Sequence, residues 1–129
     1  MNELIETIFK DLAIEGIGYV PVSFLYYEGH GEPYVTYQQV DADNVLAGDD
    51  GLMAYVDYYD FDIYSKGNYN RIIDTIKSKL IANGFVFQVS SSSGDFYETD
   101  TGYYHKTLNF AIIREDNING KDWSEQLSL

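Results

Sequence analysis

The chain contains no cysteine. Disulfide bonds, thiolate chemistry and Cys-ligated zinc are therefore excluded. Basic residues are scarce as well: 8 Lys and Arg stand against 21 Asp and Glu, for a formal charge of −13. Gripping nucleic acid through its phosphates requires a basic surface, and so does docking on anionic lipid. This composition fits neither. No apolar run approaches the ~20 residues of a membrane span. The start, MNELIETIFKDLAIEG, lacks the basic flank and apolar block of a signal peptide. These absences predict a soluble protein made and kept in the cytosol.

What is present is the material for one core. A length of 129 residues corresponds to a single domain, and 45% hydrophobic content argues against disorder of the whole chain. Tyrosine is abundant, with 13 copies. Its apolar ring and polar tip suit both half-buried strands and contact surfaces.

Periodicity divides the chain into alternating helical and extended segments. Residues 2–15 read as an amphipathic helix carrying Leu4, Ile5, Ile8, Phe9 and Leu12 on one side, with Asn2 as N-cap and Gly16 as terminator. Residues 19–27 are β-rich but contain Pro21, which predicts an edge strand or extended connection. After a turn at 28–33, residues 33–40 alternate as a strand with Tyr34, Thr36, Gln38 and Val40 on one face. DADNVLAGDDG, residues 41–51, has no period and reads as a flexible acidic loop carrying Asp41, Asp43, Asp49 and Asp50. A long strand follows at 53–64, then a helix at 69–83 with Tyr69, Ile72, Ile73, Ile76 and Leu80 as its apolar stripe. Strands at 85–90 and within 96–115 flank SSSSGD, residues 90–95, which has the composition of a mobile linker or hairpin tip. The expected fold is α+β: a single domain over residues 1–115, mostly an antiparallel sheet with two helices packed on one face. Residues 116–129 form a polar C-terminal tail in which only Trp123 and Leu127 could anchor.

The segment AYVDYYDFDIYSKGNYNRI holds Asp57, Asp60 and Asp62. Strand alternation puts Tyr59, Phe61 and Ile63 on a dry face together with Asp57, and Asp60 and Asp62 on the opposite wet face. The carboxylates do not converge. An Asp-x-Asp pair for phosphoryl transfer also needs a parallel sheet, a later Lys and more chain than remains here. The acidic segment 41–51 fails as a calcium loop, because Val45 and Leu52 stand where ligands are required and Leu46 where the turn needs glycine. His30 and His105 have no ligand spacing. The expectation is therefore no catalytic residue, no cofactor and no metal.

Basic charge is concentrated instead. Lys66, Arg71, Lys77 and Lys79 lie in or just before the second helix, where Asp74 is the only acid. Such a stripe either neutralises acids of its own chain and complements the helix dipole, or meets an acidic face of another copy.

The order of segments resembles the tail terminator proteins (tail completion or tail-to-head joining proteins) of long-tailed bacteriophages and prophages. The resemblance runs over about residues 1–115. It rests on the N-terminal helix, PYVTYQQVDADN, the acidic segment, YVDYYDFDIYSKGNYNRIIDTIKSKLIANGF and YETDTGYYHKTLNFAII. It implies a non-enzymatic virion assembly protein. Such proteins form a homo-oligomeric ring, typically a hexamer, that caps the tail tube protein, stops tube polymerisation and docks to a head-completion or neck protein. DNA passes through the ring without specific binding, and no membrane is involved. The place implied is the host bacterial cytoplasm during assembly and the tail–head junction of the virion afterwards. The alternatives are another neck or connector protein of a phage, or a small non-catalytic binding module.

Overall fold

The computed structural model describes residues 2–29, 31–47, 52–67 and 69–117. Its order is α1 (Asn2–Phe9), β1 (Ala13–Ile14), β2 (Gly18–Tyr19), β3 (Val22–Phe24), β4 (Tyr34–Ala47), β5 (Leu52–Ser65), α2 (Asn70–Ala82), β6 (Val86–Gln88), β7 (Phe96–Glu98) and β8 (Tyr103–Asn117). The main sheet runs β3-β4-β5-β8-β6, with β7 also paired to β8; β3 is parallel to β4 and the other pairs are antiparallel. The fold is α+β, as the alternation of segments predicts.

The core lies between one face of this sheet and both helices. Ile5 and Phe9 of α1 and Ile72, Ile73, Ile76 and Leu80 of α2 meet Val35, Tyr37, Tyr59, Phe61, Ile63, Leu108 and Phe110. Alternation along β5 is as read from the sequence: Tyr59, Phe61 and Ile63 are buried, and Asp57 lies on their side. The α2 stripe is buried as expected. That helix stops at Asn83, whose N–H donates to Leu80, with Gly84 in a left-handed conformation (φ 91°).

Several boundaries depart from expectation. The first helix ends at Phe9 and not at residue 15, because Asp11 turns left-handed (φ 52°). Residues 13–14 then pair with 18–19 in a small hairpin. Leu12 stays in the core because the turn, and not a helical turn, carries it there. The expected loop 41–51 is strand through residue 47, so Asp41 and Asp43 sit on β4. Register shifts at Gln39/Asp41 and Asn44/Leu46 insert extra residues and reset the alternation, which hides this strand from any two-residue pattern. Asp49 and Asp50 lie outside the described residues, as does His30. The last strand reaches Asn117, two residues past the expected domain boundary; residues 118–129 lie outside the described residues.

The serine segment 90–95 is not a free linker. Ser93 Oγ accepts the Thr107 N–H at 2.9 Å and Ser92 Oγ accepts the Asn109 N–H at 2.8 Å. The two hydroxyls replace a strand along the edge of β8, between the stretches that β7 and β6 pair.

Candidate functional site

Two surfaces of the sheet carry chemistry: its helix-free face, and the part of β4, β5 and β8 that continues past the core. The second begins at the row Ala42–Asp57–Ile112, where Ile112 is the last residue of β8 in the core cluster.

On the helix-free face the register aligns polar and aromatic residues in rows across the strands. Gln38, Asp60, Asn109 and Gln88 form one row, and Thr36, Asp62 and Thr107 the next. Asn109 Nδ2 donates to Asp60 at 2.8 Å, and Asp62 accepts from the Thr107 hydroxyl and lies 3.1 Å from His105 Nε2. In the following row Tyr34, Tyr64 and His105 stack at centroid separations of 4.7 and 4.3 Å, and Tyr27 extends the stack at 4.8 Å. The face is therefore polar as expected, yet its carboxylates are half-buried rather than fully wet. The ring faces are spent on one another, so this column braces the sheet and offers no open platform.

Burial raises the Asp60 pKa, the Asn109 amide opposes that shift, and the Asp62 charge adds to it. A raised carboxylate pKa means tighter proton binding in the fold than in the unfolded chain. The corresponding stability is complete below the ordinary value of 3.8 and is lost as pH rises through the raised value. Asp60→Asn keeps the acceptor for Asn109 and removes the charge. Its expected effect at pH 7 is within about 0.5 kcal/mol of zero, with a flatter stability profile just above pH 3.8. Urea unfolding across pH checks this; a marked loss of stability at pH 7 would show that the charge itself is needed.

Further along the same face, Asp41 and Asp43 are exposed on β4, next to Tyr58 and Val56. They border a polar depression of about 480 Å³ that also touches Asp60 and Asn109. Asp41 Oδ1 accepts the N–H of Ala42 at 2.8 Å, so part of its capacity is used at the bulge. Among the described residues no three His, Asp or Glu side chains are grouped to hold a metal ion. At the β8 side the surface becomes apolar. Val56, Tyr58, Val86, Ala111 and Ile113 line a groove of about 480 Å³, with Val86 59% and Ile113 64% exposed.

The four basic residues do not form one free surface. Arg71 donates to the Glu15 carbonyl at 2.7 Å, tying α2 to the first hairpin. The Lys77 ammonium lies 4.3 Å above the Phe87 ring. Lys66 lies 5.2 Å from the Tyr103 ring and remains exposed, as does Lys79. None of the four makes an ion pair with a carboxylate among the described residues. The stripe is therefore half committed to its own chain.

A buried ion pair went unforeseen in the sequence. Asp57, 2% exposed, accepts from Arg114 Nε at 3.1 Å, and Gln39 Nε2 lies 3.4 Å away. The Arg114 guanidinium also covers the Tyr55 ring at 4.7 Å. The only signal was a carboxylate placed on the dry face of β5, which demanded a partner. Its identity depended on the β5–β8 register.

Comparison with protein-family models finds no matching family, and comparison with curated proteins finds no significant match.

Proposed function

We propose that this chain is a structural assembly protein of a long-tailed phage or prophage. It forms a ring on the end of the tail tube, stops tube growth and presents the joining surface to the head. The single observation that supports this best is the segment order that resembles tail terminators, together with an architecture of the α+β class that the resemblance implies. The acidic charge of −13 suits a hole that lets DNA pass without holding it. No catalytic role is assigned to any residue. A second reading, a small non-catalytic binding module, is favoured by one feature: the apolar groove beside Val86 and Ile113.

Self-association separates the two. Each copy carries −13, so copies repel at low ionic strength. At ~0.15 M salt the screening length falls to about 8 Å, and the long-range repulsion fades while close contacts persist. Sedimentation velocity is expected to show monomers in dilute, low-salt solution and a ring-sized species at higher concentration and moderate salt. Negative-stain images of the latter should show rings.

The free part of the basic stripe bears on the same experiment. Lys66→Glu with Lys79→Glu reverses two exposed stripe charges, and leaves Arg71 and Lys77 in their intramolecular contacts. Weaker ring formation with an unchanged circular dichroism spectrum is expected. Undiminished rings would assign the stripe to its own chain alone.

A further inference from the structure

The edge of β8 is filled up to residue 111, and beyond it no described strand lies on that side. Residues 103–105 pair with β7 and residues 109–111 pair with β6. Between them the Ser93 and Ser92 hydroxyls take the N–H groups of Thr107 and Asn109. From Ile112 to Asn117 the strand continues on β5, but no described strand lies on its other side. Because the β5–β8 register is unbroken, alternation sends the N–H groups of residues 113, 115 and 117 outward, as those of residues 107 and 109 are.

A second open edge exists. β3 pairs only with Val35–Tyr37 of β4, so residues 38–47 are free on that side among the described residues. β4 and β8 both run antiparallel to β5 and are therefore parallel to each other. If the β8 edge of one copy joins the β4 edge of the next, every strand keeps its direction. The same contact then repeats by rotation about an axis along the strands. That is a head-to-tail contact of the kind that closes rings.

We propose that the partner of the open β8 edge, residues 112–117, is the β4 edge, residues 38–47, of a second copy of this chain. The pairing joins three strands per copy into one continuous cylindrical sheet. It rests on the ring reading, which it deepens. Six copies, the number implied by the resemblance, give a cylinder of roughly 18 strands, a size that encloses a water-filled channel. The two bulges of β4 add local twist, the device that curves sheets at barrel rims. Both helices cover the opposite face, so the channel wall is the helix-free face with Asp41, Asp43 and Asp60. Wall carboxylates repel a passing polyanion. Backbone pairing tolerates the acidic side chains of the β4 edge, because the bonds are made by main-chain groups.

The absence of native cysteine allows a direct test. Asp43 and Ile113 lie in one row of the helix-free face, separated by Val56 of β5. Two strand spacings put them about 9–10 Å apart within a copy, too far for a disulfide, which needs Cα atoms within about 7 Å. Across the proposed junction they become neighbours, within a stagger that Asp41 also samples. Asp43→Cys/Ile113→Cys and Asp41→Cys/Ile113→Cys are therefore oxidised mildly at ring-forming concentration and run without reductant. At least one pair is expected to give a ladder of covalent oligomers ending at the ring. Ile113→Pro deletes an outward N–H without touching the β5 ladder. It should raise the concentration for half-assembly about tenfold, the equivalent of one lost hydrogen bond per contact.

Dimers and nothing larger from both double-cysteine variants would replace the contact by a two-fold β8–β8 pairing and overturn the proposal. Rings seen by microscopy without a ladder in either pair would overturn it too, while leaving the ring reading intact. Monomers at every concentration would also overturn it. A ladder from a protein that leaves tube growth unaffected would keep the strand contact and remove the tail-terminator reading.

Discussion

Phe61→Ala is expected to cost about 3–5 kcal/mol of stability. The ring is fully buried in the middle strand and touches all three sides of the core. Phe9 of α1 lies 6.0 Å away centroid to centroid, Tyr37 of β4 stacks at 5.5 Å, and Phe110 of β8 meets it edge-on at 5.8 Å. Truncation leaves a cavity bounded by a helix and two strands paired on either side of β5, none of which can collapse into it without shifting the sheet. The aromatic contacts are lost in addition to the buried area. Urea unfolding reads the difference from the shift in midpoint at constant slope. A cost below about 1 kcal/mol would mean that the side chain is not the centre of the core.

Arg114→Met should be nearly as damaging, for an electrostatic reason. Met retains much of the apolar stem that covers Tyr55 but leaves the Asp57 carboxylate buried, with Gln39 at 3.4 Å its one remaining side-chain partner among the described residues. Breaking a buried pair by removing one partner costs on the order of 3–5 kcal/mol, because the remaining charge has lost both water and its counter-ion. Asp57→Asn in the Arg114→Met background removes the stranded charge and should recover a large part of the loss. The double-mutant cycle reports that recovery as a coupling between the two positions. If the single variant is as stable as the parent, Asp57 reaches water in solution and the end of the core is more open than described.

These two residues also mark how far the sequence could be read. Phe61 was legible because β5 has no bulge against β8: its strict alternation assigns Tyr59, Phe61 and Ile63 to the core and Asp60 and Asp62 to the other face. The stripe of α2 was legible for the same reason at a period of 3.6. Arg114 was not, since its partner lies 57 residues away and is fixed only by strand register.

The errors have local causes. Asp41 and Asp43 looked like loop residues because bulges broke the alternation of β4 just where its composition turned acidic. Ser92 and Ser93 looked like linker because their composition cannot reveal that two hydroxyls dock on a neighbouring strand edge. Leu12 extended the helical period past Phe9, while Asp11 had already turned the chain. Of the basic stripe, the grouping on α2 was visible, but not that Glu15 and Phe87 engage two of its members.

The role proposed for this chain is to cap a growing tail tube. Its most direct test is to polymerise a tail tube protein of the same phage in the presence and absence of the purified chain, and to measure tube lengths and ends by negative-stain microscopy. The account predicts a ring at one end of each tube and growth that stops once the ring is in place, so that mean length falls as the chain is added earlier. Tubes of unchanged length with bare ends, at a concentration where the chain alone forms rings, would contradict it.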